Sequence, residues 1–574
     1  MVQSPRIRRR QSEVTGSWPD SLSPLLCRIY AGRGATSLEQ AQPKLAQLLP
    51  PDTLGGLAEA TALLADAIAT RQHIVVVGDF DCDGATACAL GVRGLRMLGA
   101  TRVTPAVPNR MLHGYGLSPA LVGELVGLEP DLLVTVDHGI ACHAGIAEAK
   151  ALGWKVLVTD HHLPGESLPP ADAIVNPNLR GDAFPSKMLA GVGVMFYVLL
   201  ALRKRLREQG VLIQGEPDLS TLLDLVAVGT IADLVPLDVN NRALVGAGLR
   251  RLRAGQGCAG LRALIEVSGR EAARLTAADI GFAIGPRLNA AGRLEDMAIG
   301  IECLLSDDAT QAHELAQILN GINAERRGVQ QQMTDEAETA IERLGSAGNQ
   351  QAPVALCLFD AEWHPGVVGL VASKMKEKLH RPVIAFAPSE PGSSSLRGSA
   401  RSIPGFHIRD ALANVDVVYP GLMGKFGGHA MAAGLSLEES EFARFQAAFL
   451  EQVQAMMDPA MLHAELLSDG ELSVEDFVIA NAEALRSGGP WGQGYGEPLF
   501  DGVFEVTDWR VVGERHLKLS LRVEGRREPL NAIHFGGWQD QKPPSRLRIA
   551  YRLVPDDYRG GNAVQLIVEH RETA

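Results

Sequence analysis

The chain has 574 residues, 46% of them apolar, and 54 Lys+Arg against 67 Asp+Glu for a net charge of −13. That length calls for several domains with sizeable cores. The acidity argues against indiscriminate nucleic-acid binding, since phosphate contacts need cations, and no uninterrupted apolar run reaches membrane-spanning length.

The N-terminus carries Arg6, Arg8, Arg9 and Arg10 but lacks the apolar segment of a secretory signal. Residues 1–70 read as an N-terminal extension, with Trp18–Pro50 packed on the core. Seven scattered cysteines (27, 82, 88, 142, 258, 303, 357), with no C-x-x-C pair, read as reduced cytosolic thiols.

Val75-Val76-Val77-Gly78 reads as a buried strand ending in Asp79-Phe80-Asp81-Cys82-Asp83, with a helix from Gly84. Carboxylates so crowded repel one another, and burying them is costly unless a cation holds them. A divalent metal is the simplest answer. A solvated acidic loop is the plain alternative, and one cluster leaves the two about even. The device recurs, however. Leu132–Val136 is followed by Asp137-His138-Gly139, Val156–Thr159 by Asp160-His161-His162, and the helix-like Leu222–Ala232 by Asp233. A lone Asp or His after a strand is ordinarily a cap or turn residue; three strand-like runs so ended are hard to explain that way.

Strands alternating with helices build a parallel sheet whose carboxyl ends share one edge. Asp79, Asp81, Asp83, Asp137, His161 and His162 therefore converge, and Asp233 can join from a neighbouring helix end. That much carboxylate suggests two ions with Asp137 as the bridge, and the donor types suit manganese or magnesium better than zinc or copper. Cys82 reads as packing inward, because alternating residues there should face oppositely.

Leu189–Leu202 reads as a buried helix. Residues 241–305 look helical with glycine breaks and complete a metal-binding lobe of residues 71–305. Arg110, Arg287, Arg293, Arg397 and Arg401 are candidates for a narrow basic track. Any one arginine is ordinarily a solvated surface residue. That reading is less comfortable inside Gly/Pro/Asn-rich stretches such as GPRLNAAGR (285–293), which also holds Asn289, where loops approach ligands.

Residues 306–350 read as a long connecting helix, with Leu315, Ile318, Leu319, Ile322, Val329, Met333 and Ile341 as a thin apolar stripe. Residues 351–460 form a second α/β lobe: a strand at 354–359, a helix at 367–379 and a strand at 382–386. Its RGSAR loop sets Ser399 between Arg397 and Arg401, a plausible phosphate pocket. Gly427-Gly428-His429 is a tight turn whose histidine either caps it or donates to a phosphate.

Residues 461–574 begin with a hinge between lobes, the loop PWGQGYGEP (490–498). Five β-rich runs follow, at 503–512, 517–523, 532–535, 547–554 and 564–569, and suggest a small OB-type barrel. Trp509, His516, Lys518, Phe535, Trp538 and Tyr551 suit base stacking, with about half of them expected in the barrel core.

GDFDCDGATA (78–87), VDHG (136–139) and Asp160-His161-His162 resemble the DHH phosphoesterase superfamily. PNRMLHGYGL (108–117), GTIADLVPL (229–237), GPRLNAAGR, WHPGVVGLVASK (363–374), RGSAR and GKFGGHAMAAG (424–434) narrow the resemblance to the RecJ-type single-stranded-DNA-specific exonucleases. The matches run in order from about Val75 to about Phe500.

The resemblance implies an α/β fold class: a DHH metal domain and a DHH-associated domain joined by a long helix, plus the C-terminal OB-like barrel. It places Asp81 and Asp137 on one ion, and Asp83, Asp137, His161 and Asp233 on the other. Asp79 is a ligand or supports one, and His162 stabilises phosphoryl charge in catalysis. The first motif reads Val77-Gly78-Asp79 where the superfamily often offers a histidine, which leaves the first ion's shell open.

Substrate contacts fall to Arg110, Arg287, Asn289, Arg293, Arg397, Ser399, Arg401 and His429. The implied activity is metal-dependent 5′→3′ degradation of single-stranded DNA to 5′-mononucleotides in a groove between the lobes. Its setting is repair and recombination in a bacterial cytoplasm, by a monomer without a membrane, with single-strand-binding protein and a helicase as implied partners. The alternatives are a DHH phosphodiesterase acting on short oligonucleotides or cyclic dinucleotides, and a silent nucleic-acid-binding scaffold.

Overall fold

The computed structural model describes residues 5–11, 13–110, 112–212, 215–346 and 353–574. The first four residues of the expected extension, Met111 of the PNRMLHGYGL motif and the expected boundary at 350/351 lie outside the described residues. The chain divides into two compact units, Arg10–Asn323 with Asp469–Ala574, and Met1–Arg9 with Ala324–Ser468. The expected 1–70 extension is thereby divided. Arg6–Arg9 forms a parallel ribbon with Glu465–Ser468 in the smaller unit, while Leu25, Leu26, Ile29 and Tyr30 are buried in the core of the larger one.

The larger unit is built on five parallel strands, in spatial order Val103–Ala106, Ile74–Val77, Leu132–Val136, Lys155–Thr159, Ala173–Val175. Ile74 to Val77 are fully buried. An unbroken apolar run, rather than an alternating one, is what a strand covered on both faces requires. Chain order reverses between Ile74–Val77 and Leu132–Val136, so the connections leaving these two neighbours diverge and open a crevice at their carboxyl ends.

Helices Cys82–Met97, Gly191–Glu208 and Leu223–Ala232 pack around that crevice. Leu223 to Ile231 are all buried, so this mostly apolar helix, with Asp224 and Thr230 as its polar exceptions, lies inside the core. The first helix begins at Cys82, two residues before the expected start. Cys82 does pack inward, but as the first residue of a helix, not by strand alternation.

GPRLNAAGR is a helix, Gly285–Leu294, preceded by a π-helical turn at Ile280–Ile284, and not the expected loop. Proline is tolerated in a first turn. Gly292 serves packing: a β-carbon there would lie 1.8 Å from the Phe80 carbonyl oxygen.

A 38-residue helix, Ala309–Ser346, links the units along the chain. Leu319, Ile322 and Met333 are buried as expected, but Ile318 is 49% exposed and leaves the stripe. The smaller unit's sheet runs Phe426–Gly428, Ala432–Glu438, Ser395–Arg401, Val383–Pro388, Leu356–Phe359. Only the last two pair in parallel. RGSAR is therefore a strand, not a loop. Its two-residue period turns Gly398 and Ala400 inward, and Gly398 is held to glycine by the Phe386 ring, 2.5 Å from where a β-carbon would sit.

The C-terminal strands Phe500–Val512, His516–Arg522, Leu530–His534, Val564–Thr573 and Arg546–Pro555 close into a barrel in that order. The third and last strands in the chain are its parallel pair, an OB-like arrangement. Tyr551 is core, Trp509 stacks on Trp538 at 5.5 Å, and Phe535 is 58% exposed with His516 against its ring. The 490–498 loop is not a hinge between units. It lies wholly inside the larger one, where Tyr495 is buried and stacked on Trp491 at 5.4 Å.

No described helix is long and apolar enough to cross a membrane.

Candidate metal centre

Asp79 and Asp137 leave the two strands that flank the reversal. Asp79, Asp83 and Asp137 are buried, while Asp81, His161 and Asp233 are partly exposed. Asp81 caps helix Cys82–Met97, accepting from the Gly84 amide at 3.0 Å. Asp83 accepts from the Gly191 and Val192 amides at 2.6 and 3.0 Å. These amides open the buried helix Gly191–Glu208, whose positive dipole end favours an anion. Asp137 has φ +65°, a left-handed conformation that aspartate tolerates better than most residues. Asp233 closes helix Leu223–Ala232.

His161 Nε2 stands 3.1 Å from Asp137 Oδ1 and 3.5 Å from Asp233 Oδ2. Donor atoms lie within 4.8 Å of one another in three sets: Asp79/Asp81/Asp137, Asp83/His161/Asp233 and Asp137/His161/His162. Asp137 and His161 each belong to two of them.

Burial first, and then neighbouring carboxylates, push Asp79, Asp137 and Asp233 well above the usual carboxylate range. Asp83 is pushed up to about 7 by burial and Asp81, against the opposing pull of the Val192 and Gly191 amides. Two carboxylates about 4 Å apart repel by roughly 4 kcal/mol at an effective dielectric of 20. A hydrogen bond to a charged group returns only about 1.5–3 kcal/mol. Repulsion wins, so these groups ionise together only around a cation. Asp137 Oδ1 is buried and accepts no hydrogen bond, which suits an oxygen that ligates a metal. Oxygen donors with one or two imidazoles fit manganese or magnesium.

Asp160 was not among the expected site residues, yet it orients His162. Asp160 Oδ1 accepts from the His161 and His162 amides at 2.7 and 3.0 Å and lies 2.8 Å from His162 Nδ1. Its Oδ2 accepts from the Ile140 amide at 2.9 Å. Burial alone would raise Asp160, but His162 holds it below the usual range. Burial likewise opposes charge on His162, and Asp160 overrides it, pushing the imidazole up to about 9. The first residue of the DHH tripeptide thus fixes the ring of the third.

Arg110 lies over the Phe80 ring at 5.0 Å, and Tyr115 meets Phe80 and His162 edge-on. Arg287 is buried, its Nη1 donating to the Ala283 carbonyl and its Nε to Asn320 Oδ1. Asn289 accepts from the Cys82 amide at 2.8 Å and so supports the first aspartate loop. Asn289 and Arg293 also line a cavity of about 880 Å³ that reaches Ala232, next to Asp233. Its wall carries Arg250, Arg253, Arg486 and Arg552, with Trp491. Sequence reasoning missed these arginines: for Arg250 and Arg253, helical periodicity signals packing and not which face meets a cavity, and Arg486 and Arg552 reach it from elements much later in the chain.

In the smaller unit, Arg397, Ser399 and Arg401 share one face of Ser395–Arg401, and Arg401 Nη1 donates to Ser399 Oγ at 2.9 Å. Gly434 and Ala432 stand opposite Ser399 and Arg401, leaving little side chain beside them. A β-carbon on Gly369, in the first turn of helix Val368–Leu379, would come within 2.9 Å of both polar groups. His429 is exposed just after Gly428, whose φ is +141°.

Residues 73–230 match the DHH family N-terminal domain, residues 350–455 the DHHA1 domain and residues 468–570 the RecJ OB domain. Single-stranded-DNA-specific exonuclease RecJ of Escherichia coli strain K12 is 48% identical to the chain over 577 residues, covering 99% of each. The protein of that name from Haemophilus influenzae is 45% identical over 572 residues, again covering 99% of each. The crystal structure of RecJ in complex with Mn2+ from Thermus thermophilus is similar at TM-score 0.80 and 34% identity, covering 96% of this chain and 76% of that one. A crystal structure of exonuclease RecJ bound to manganese gives TM-score 0.58 at 38% identity, covering 72% and 97%.

Proposed function

The chain belongs to the RecJ family of single-stranded-DNA-specific exonucleases, and we propose that it degrades single strands from the 5′ end to 5′-mononucleotides. The observation that carries this reading is the cluster of carboxylates and imidazoles gathered around the buried Asp137 and Asp83. Manganese or magnesium held there would polarise water and neutralise phosphoryl charge.

Asp81, Asp83, Asp137, His161 and Asp233 hold the ions, with Asp79 beside Asp81. His162, its Nδ1 anchored on Asp160, turns its other nitrogen to a phosphoryl or leaving oxygen. Arg110 sits over Phe80, next to Asp79, where it can balance phosphate charge. Arg401 and Ser399 receive the terminal 5′-phosphate, which gives the reaction its polarity. Arg293 and the arginines of the 880 Å³ cavity take the backbone of the following nucleotides.

The setting that fits this activity is repair and recombination in a bacterial cytoplasm. The enzyme works as a monomer there, with single-strand-binding protein and a helicase supplying its substrate.

End-labelled single- and double-stranded DNA, incubated with manganese with and without chelator, tests the reading. Mononucleotides released from the 5′ end of the single strand, only with metal, are expected. Release from the 3′ end refutes the polarity, and turnover that persists in chelator refutes the metal chemistry.

A further inference from the structure

Asp233 caps its helix, its amide donating to the Gly229 carbonyl at 2.9 Å, and the chain that follows is held from outside. Leu234, the next residue, is 70% exposed with φ +61°, a backbone conformation that bulky residues keep only when their surroundings impose it. The support comes from the PWGQGYGEP segment. The Leu237 amide donates to the Gln493 carbonyl at 2.7 Å. The Leu237 carbonyl accepts from Arg242 Nη1, also at 2.7 Å.

Arg242 is itself pinned. Its guanidinium lies 3.9 Å from the Tyr495 ring centroid, and its Nη2 donates to the Gln40 carbonyl at 2.6 Å. Tyr495 stacks on Trp491, Trp491 on Tyr30, and Tyr30 on Trp18. The glycines allow the close approach. A β-carbon on Gly494, whose φ is +72°, would press on Pro236 at 3.3 Å, and one on Gly492 would come within 2.7 Å of the Leu237 side chain. The Asn241 side chain holds the Pro236 carbonyl at 3.0 Å.

We propose that Arg242, Tyr495 and the 492–494 backbone are positioning residues for Asp233, and that they set the affinity of one of the two metal ions. The clamp rests on the reading of Asp233 as a ligand. It grips the chain three and four residues beyond that carboxylate, on the side of the Asp83/His161/Asp233 set. The Asp79/Asp81/Asp137 set is carried by other loops and does not depend on it. The segment before the barrel thereby belongs to the metal site in function.

The test is manganese titration of the full chain by calorimetry, with electron paramagnetic resonance to report paired ions. Wild type, Arg242→Gln, Gly494→Ala and Tyr495→Leu are compared, and thermal unfolding of each is measured without metal. Wild type should bind two ions. Arg242→Gln should weaken one by about tenfold or more, in the range of outer-shell ligand supports, leave the other unchanged and lose the paired-ion signal. Gly494→Ala should do the same with Arg242 intact, and it decides the matter should Arg242→Gln fail to fold. Tyr495→Leu removes the ring under the Arg242 guanidinium and should weaken the same ion. Folded variants that bind both ions normally, or lose both equally, overturn the clamp. Wild-type protein that binds fewer than two ions overturns the metal reading and the clamp together.

Discussion

A β-carbon on Gly191 would lie 2.4 Å from the β-carbon of Asp137. The same glycine's amide donates to Asp83 at 2.6 Å. One backbone position thus sets the spacing of two carboxylates that no sequence proximity links. Gly191→Ala should push Asp137 or the helix terminus away while removing no ligand. Misplacement by about an ångström can cost 100-fold, so exonuclease activity should fall by roughly that factor while the fold persists. A fully active Gly191→Ala enzyme would show that the close approach is not needed.

Asp137→Asn keeps the left-handed backbone, which asparagine also tolerates, and removes a buried group that ionises. Metal-free protein at neutral pH should become more thermostable, because folding no longer has either to protonate that carboxyl or to bear its repulsion. Activity should drop by roughly 1,000-fold or more as the shared ligand is lost. Thermal unfolding and exonuclease assays on the same sample check both halves. A variant that is less stable without metal contradicts the electrostatic argument.

Asp83 binds its proton more tightly in the folded protein than in the unfolded chain, where the ordinary value is about 3.9. Its contribution to metal-free stability is therefore complete below that value and is lost as pH rises towards 7. Relative to Asp83→Asn, which does not titrate, metal-free wild type should lose melting temperature between about pH 4 and 7. Saturating manganese, which displaces the proton, should raise the wild-type melting temperature more at the top of that window than at the bottom. A wild-type advantage that grows with pH without metal runs against this sign.

Asp160→Asn should lower activity about 10- to 100-fold, as losses of an orienting partner do. Manganese stoichiometry should be unchanged, because Asp160 spends both oxygens on amides and on His162. Loss of a bound ion in this variant would place Asp160 in the metal shell.

Arg401→Ala should weaken binding of 5′-phosphorylated strands by roughly 10- to 100-fold, the worth of a charge-assisted hydrogen bond. Strands with a 5′-hydroxyl should be nearly unaffected. Equal losses on both substrates would assign Arg401 to the smaller unit's packing and not to the terminus.

Much of the metal centre was legible because strand ends in a parallel sheet converge: Asp79, Asp137 and His161 follow apolar runs that could only be buried strands. The barrel was legible from alternation, its five strands lying within a few residues of the expected runs. Arg287 sits in a glycine-rich motif, where a cation looks like a ligand contact, and only the fold reveals its bonds to Ala283 and Asn320. GPRLNAAGR and RGSAR looked like loops because small residues resemble turn chemistry. Here they serve close packing against Phe80 and Phe386. The 490–498 segment looked like a hinge for the same reason, since its contacts with Leu237 and Arg242 join residues some 250 positions apart.

The most direct measurement is anomalous diffraction from crystals soaked in manganese. Two peaks about 4 Å apart are predicted, both touching Asp137, with Asp79 and Asp81 towards one and Asp83, His161 and Asp233 around the other. An empty crevice with these side chains turned apart, or manganese bound only elsewhere, would contradict the account.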